Sequence, residues 1–149
     1  MRETFERFLK GNADAVDLNL ALHEVVHLWD DLIDLDRPVM PADINKAFHH
    51  ALIMIPRNAF YRANFADLSP ILESAIFDWL AANEIEKTKD VERLRQAYVL
   101  RYTLLSFTVI CARIVGGPEW AHRVNVEFRA MASPWKEYIE GLGVTNGLD

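Results

Sequence analysis

Cysteine is almost missing from this chain of 149 residues: Cys111 is the single one, so no internal disulfide can form. It sits in the apolar run Ser106-Phe107-Thr108-Val109-Ile110-Cys111-Ala112, where a buried, inert thiol is expected. A chain that needs no disulfides suits a reducing compartment, and a cytoplasmic location is the expectation. Glycine and proline are also scarce, at 6 each, which excludes collagen-like and low-complexity classes. There is no glycine-rich phosphate loop, no nucleophile elbow and no Cys/His cluster. The stretch Met1-Arg2-Glu3-Thr4-Phe5-Glu6-Arg7 carries acids and no apolar core, so it does not read as a signal peptide. Long hydrophobic runs are lacking too. The longest charge-free run, Tyr102 to Ala112, is eleven residues bracketed by Arg101 and Arg113, far short of the ~20 needed to span a bilayer. A soluble protein without membrane contact is expected.

What is present is globular in kind. Hydrophobic residues make up 51% and charged residues 26% of the chain, which excludes intrinsic disorder. The length fits one domain over residues 1–149, able to bury roughly two-thirds of the surface its unfolded form exposes. The formal net charge of −6 gives a field that repels phosphate backbones, so no nucleic-acid partner is expected. A cationic partner or a bound divalent metal fits that field better.

The patterning is helical throughout, with no alternating strand signal and no internal repeat. Phe5, Phe8 and Leu9 share one side of a short helix over residues 2–10, ended by Gly11-Asn12. Asp14 and Asp17 resemble a capping box at the start of a long helix reaching Asp36. Its apolar positions Leu18, Leu22, Val25, Val26, Trp29, Leu32 and Ile33 keep the 3, 4 spacing of a core face. Arg37-Pro38-Val39-Met40-Pro41 ends it, and Pro41 suits the first position of the next helix. That helix, Asp43 to Met54, directs Ile44, Ala47, Phe48, Ala51, Leu52 and Ile55 inward and stops at Pro56. Arg57 to Asp67 carries aromatics in a short irregular or briefly helical segment.

Ser69-Pro70 reads as the N-cap and first residue of a further helix. On it Ile71, Leu72, Ala75, Ile76, Trp79, Leu80 and Asn83 keep the core spacing, with Glu73, Asp78, Glu84 and Glu86 on the flanks. Asp90 is a fit N-cap for the most apolar helix, about residues 91–115, expected to be the buried centre of the fold. Gly116-Gly117-Pro118 ends it and opens a last helix to about Ile139, kinked at Ser133-Pro134, before a glycine-containing tail over 141–149 expected to fray. The expected fold class is therefore all-α, a single-domain bundle of five or six helices.

Chemistry-bearing residues concentrate between His23 and Asp36. At 100° per residue, His23, His27, Asp30 and Asp34 fall on a stripe about 60° wide beside the apolar face, with Glu24 and Asp31 at its outer edge. Imidazoles four apart project from one helix face and can share one metal, and His27/Asp31 and Asp30/Asp34 have the same reach. His23 and Asp30 are about 10 Å apart along the axis, too far to share an ion. One helix thus supplies pairs, and completion requires a facing helix, with His49, His50, Glu73, Asp78 and Glu84 as candidates. His49 and His50 point 100° apart, so at most one faces a given site. Imidazole ligands favour zinc, manganese or iron over magnesium. Acids near a helix C-terminus oppose its dipole, a cost that hints at use.

His23-Glu24-Val25-Val26-His27 resembles the H-E-x-x-H motif of the zincin metallopeptidases, over those five residues. That resemblance implies zinc on the two histidines and Glu24 as the base activating bound water. Asp30-Asp31-Leu32-Ile33-Asp34 is similar to the D-D-x-x-D motif with which isoprenoid synthases hold magnesium and a diphosphate, again over five residues. Glu24-x-x-His27 and Asp31-x-x-Asp34 share their spacing with the paired acids of the all-α nucleoside-triphosphate pyrophosphohydrolases.

Arg101, inside the most apolar helix, requires a carboxylate partner if buried, or could hold an anionic group of a substrate. Two function classes follow. One is a metal-dependent hydrolase acting on a phosphoester or nucleotide, with Glu24 as general base. The other is a non-catalytic interaction or assembly protein, forming homo-oligomers or binding a protein partner through an acidic stripe and the aromatic-rich residues 57–68.

Overall fold

The computed structural model describes residues 1–35 and 37–144, and these are all-helical, with no strand among them. Asp36 and residues 145–149, part of the expected tail, lie outside the described residues. The helices are more numerous and shorter than the five or six expected, because several long apolar patterns are interrupted.

Helix α1 (Arg2–Phe8) buries Phe5 and Phe8 and ends in a turn with Lys10 and Gly11 at positive φ. Helix α2 (Ala13–Asp34) is capped by Asn12, whose side chain accepts from the Ala15 amide at 3.0 Å. The cap is thus Asn12, two residues before the expected acidic box, and it satisfies one of the orphan amides of the first turn. The first half of α2 buries Ala15, Val16, Leu18 and Ala21. Its second half departs from the expected face: Leu28 and Asp31 are buried, whereas Leu32 and Ile33 are each 43% exposed. Leu35 closes the helix in the left-handed region.

Helix α3 (Pro41–His49) begins on Pro41 as expected, then widens into a π-turn (His50–Met54) before the short helices α4 (Ile55–Arg57) and α5 (Ala59–Ala63). In the π-turn the Ile55 amide donates to the His50 carbonyl, five residues back. Proline at 56 accounts for this: it has no amide to give the Leu52 carbonyl, and its ring would collide with that oxygen in a regular helix. The phase changes as a result. Ala47 and Ile55 are both buried, although eight residues of regular helix would set them about 80° apart; one inserted residue brings them within about 20°. Phe48, Ala51 and Leu52, expected inward, are exposed.

Helix α6 (Phe65–Glu86) starts four residues before the expected cap at Ser69 and runs through Pro70. Only one carbonyl loses its donor there, close to the helix start. Helix α7 (Val91–Arg101) is capped by Asp90, which accepts from the Glu92 and Arg93 amides. A turn at residues 102–104 separates it from α8 (Leu105–Gly116). The expected continuous central helix is therefore two helices. Residues 91–116 are long and apolar enough by composition to cross a membrane, with a window of mean hydropathy 1.5, and 22% of that window is buried. This is not the fully enclosed centre that the apolar pattern promised, although Phe107, Thr108, Cys111 and Ala112 are buried.

Helices α9 (Pro118–Arg129) and α10 (Trp135–Gly141) replace the single last helix, broken around Pro134. Residues 142–144 are bonded back to α10, with Gly143 at φ 71 and the Val144 amide donating to Ile139 at 3.0 Å. That part of the tail is a helix cap, not a frayed end.

The chain forms two compact units: Met1–Ala66 with Ile114–Gly116, and Asp67–Arg113 with Gly117–Asp149. Within the first, α2 packs on α1, α3, α5 and the π-turn. Within the second, α7 packs on α10.

Candidate functional site

The histidine and acid stripe of α2 lies in the first unit, and Glu24, Asp31 and the two histidines each meet a neighbour there. The His23 and His27 rings stand edge-to-face with centroids 4.1 Å apart, and Phe5 lies edge-on to His23 at 6.3 Å. Burial, the neighbouring His27 and the N-terminal amine hold the His23 imidazole below its ordinary range, with Glu24 opposing them. This is the behaviour of a half-buried ring at the edge of a core, where the charged form is disfavoured.

Glu24 faces α3. Its Oε2 atom lies 2.7 Å from Lys46 Nζ and 3.2 Å from His50 Nδ1. Both Glu24 Oε2 and His50 Nδ1 are shielded from water, and the two approach closely without hydrogen-bond alignment. Lys46 and His50 are four apart and so share one stripe of α3. Of the two candidate histidines, His50 is the one beside Glu24; the His49 ring is 6.4 Å from the His50 ring and exposed. Lys46 was the residue the sequence reading passed over, and its signal was the four-residue spacing to His50.

Asp31, placed at the outer edge of the stripe by helical geometry, is buried and takes a charge-assisted hydrogen bond from Arg37. That bond, with a smaller effect of charge from Arg37 and His27, holds its carboxyl below the usual range against the opposing effect of burial. Asp30 is half-buried and Asp34 exposed. The candidate completing acids Glu73, Asp78 and Glu84 belong to α6 in the second unit, where Glu84 pairs with Lys87 at 2.6 Å. Among the described residues, no group of three or more His, Cys, Asp or Glu side chains is arranged to hold a metal ion. His23, His27, Asp30, Asp31 and Asp34 are thus not gathered into one coordination shell. Glu24 faces a lysine and an imidazole, where a general base would face bound water.

The densest polar constellation lies elsewhere. In the second unit Arg101 Nε donates to Glu86 Oε1 at 2.8 Å and Nη2 to both Glu86 Oε2 and Asn83 Oδ1. The guanidinium stands 4.8 Å over the Trp79 ring. Tyr138 completes the set, its hydroxyl donating to Glu86 Oε1 at 2.6 Å. Burial, then the Glu86 bond and charge, drive the Tyr138 phenol far above its ordinary range, so it stays a donor. Glu86, expected on a flank, is 7% exposed. Arg101 therefore has the carboxylate partner its burial demands, in a bidentate ion pair. Around this set Tyr98, Tyr102, Trp135 and Tyr138 pack with centroids 5.2 to 5.7 Å apart. Such a bidentate pairing, ringed by aromatics, reads as architecture, and Glu86 stands where the anion considered for Arg101 would bind.

The apolar surface is the other conspicuous feature of the first unit. Phe48 is 60% and Leu52 66% exposed, four residues apart on one line of the α3 and π-turn rod, with Met40, Ile53 and Met54 exposed nearby. From Ala47 to Pro56 the chain carries no Asp, Glu, Lys or Arg. A hollow between Leu9–Asn12, Phe60, Asn64 and Ile114–Val115 is lined by none of the stripe residues. Comparison with known protein families, curated protein sequences and solved structures finds no match to this chain.

Proposed function

We propose that this is an assembly protein whose first unit binds a second copy of the same chain through the apolar face of α3 and the π-turn, extended by the C-terminal end of α2. The observation that carries this reading is the amount of apolar surface left open. Leu32, Ile33, Leu35, Met40, Phe48, Leu52, Ile53, Met54 and Phe65 are 38 to 79% exposed. At roughly 150–200 Å² for each such side chain, they present about 800 Å². A standard interface buries about 800 Å² on each partner, so a contact drawing on most of these side chains would be of sufficient size.

The chemistry of the face favours a copy over a charged partner. A chain of net charge −6 repels itself in general, and the ten uncharged residues from Ala47 to Pro56 let two copies meet without bringing acids together. A two-fold contact requires only that the patch complement itself. The stripe on α2 supports the metal-dependent reading less well, since its buried acid and its motif glutamate are engaged by Arg37, Lys46 and His50.

Sedimentation velocity at 1–100 μM tests the proposal. The native chain is expected to sediment as a dimer with a dissociation constant in the micromolar range or below. Phe48→Glu and Leu52→Glu should each weaken it by about 100-fold, the cost of placing a charge at a desolvated contact. Far-UV circular dichroism should show both variants still helical, because both side chains are exposed in a single copy. A native chain that remains monomeric at 100 μM, or one that floats with neutral lipid vesicles instead of pairing, overturns the reading.

A further inference from the structure

From the geometry around Glu24 we infer that this residue is a clamp that sets the phase of the π-turn, and with it the direction in which Leu52 is presented relative to Phe48 in the preceding helix. The inference rests on the assembly reading for its purpose but not for its mechanism. A π-turn is a strained insertion, tolerated when neighbouring contacts hold it. Here Pro56 obstructs the regular alternative, yet it does not choose where the extra residue goes. The choice is made by tertiary contacts on both sides of the change. Upstream, Lys46 in α3 contacts Glu24 at 2.7 Å; at the first residue of the π-turn, His50 contacts the same oxygen at 3.2 Å. Downstream, buried Ile55 accepts the new phase. Moving the insertion N-terminal to His50 would swing its imidazole off Glu24 by about 100°, and leaving it out would turn Ile55 from the core toward solvent.

The other charged groups on the elements packed here are accounted for separately. His23 and His27 contact each other on α2, and Asp31 is held by Arg37. Lys46 and His50 are the groups drawn to Glu24, so one carboxylate gathers the last α-type turn and the first π-type turn on a single atom. Losing it should loosen the segment locally without unfolding the unit, since Ala47 and Ile55 remain buried.

Amide hydrogen exchange on the full chain reads this directly. Glu24→Ala is expected to raise exchange at Ile53 to Arg57 by about tenfold, and exchange in α7 and α10 should not change. Glu24→Gln keeps an oxygen beside Lys46 and His50 without the charge and should recover part of the protection; His50→Phe should lose it. Dimer dissociation constants for the same variants should rise about tenfold for Glu24→Ala and less for Glu24→Gln. If exchange over residues 53–57 is the same in Glu24→Ala, His50→Phe and the native chain, the clamp is refuted. If exchange responds while every form is monomeric, the clamp stands and the assembly reading falls.

Discussion

The α2 stripe and the Arg101 network are both polar clusters near an apolar face, and they differ in where their partners come from. The stripe is local: His23, Glu24, His27, Asp30, Asp31 and Asp34 lie within twelve residues, and its members look outward to separate partners, Lys46, His50 and Arg37. The network is assembled from three helices. Glu86 and Asn83 come from α6, Arg101 from α7 and Tyr138 from α10, and they converge on one buried ion pair. Density along the chain and density in space are different quantities. A helix presents its polar residues at fixed angles, but whether they meet depends on what packs against each angle.

The comparison can be broken most severely at the network. Glu86→Ala leaves the Arg101 guanidinium buried without its carboxylate and should cost about 3–5 kcal/mol in urea unfolding. Replacing both, as Glu86→Leu with Arg101→Leu, should cost less than the single change, because no lone charge remains buried. Tyr138→Phe removes one bond to a charged acceptor, a loss of about 2 kcal/mol in the same assay. At the start of α2, Asn12→Ala removes a helix cap and should lower stability by about 1 kcal/mol.

The smallest effects belong to the stripe and appear only with pH. The folded state holds Asp31 below its ordinary 3.8. Its contribution is thus complete above that value and is lost as pH falls through the folded-state range. Arg37→Ala should flatten the fall in stability below pH 3.8. His23 is held below 6.5, so the unfolded chain takes up its proton first and stability declines as pH drops from 6.5. His23→Leu should make unfolding midpoints less dependent on pH between 6.5 and 5. A stripe variant that costs as much as Glu86→Ala would erase the distinction between the two regions.

Several features were readable from the chain because their causes are local. Asp90 caps α7 and Pro41 opens α3 through contacts within one turn, and Gly117-Pro118 ends one helix and starts another. The carboxylate demanded by a buried Arg101 was also foreseeable, but not that it would be Glu86, because α6 faces are set by what packs on them. Leu52 is misplaced because the 3.6-residue period was carried unbroken toward Pro56, and the π-turn shifts it by a residue, whereas Phe48 precedes that shift and is exposed by the way α3 packs. The candidate site fared similarly. His50 lies beside Glu24, and Lys46 and Arg37, on neighbouring stretches, pair with Glu24 and Asp31 through contacts that spacing along α2 did not announce.

Backbone propensity and side-chain spacing were sufficient to make this protein all-helical, since each helix depends on groups within a few residues of one another. Which carboxylate meets which cation, and which apolar faces remain open, was decided only by tertiary packing. The bonds that converge on Glu86 join residues 15 to 52 positions apart, and a rotation of a few tens of degrees in one helix exchanges one partner for another.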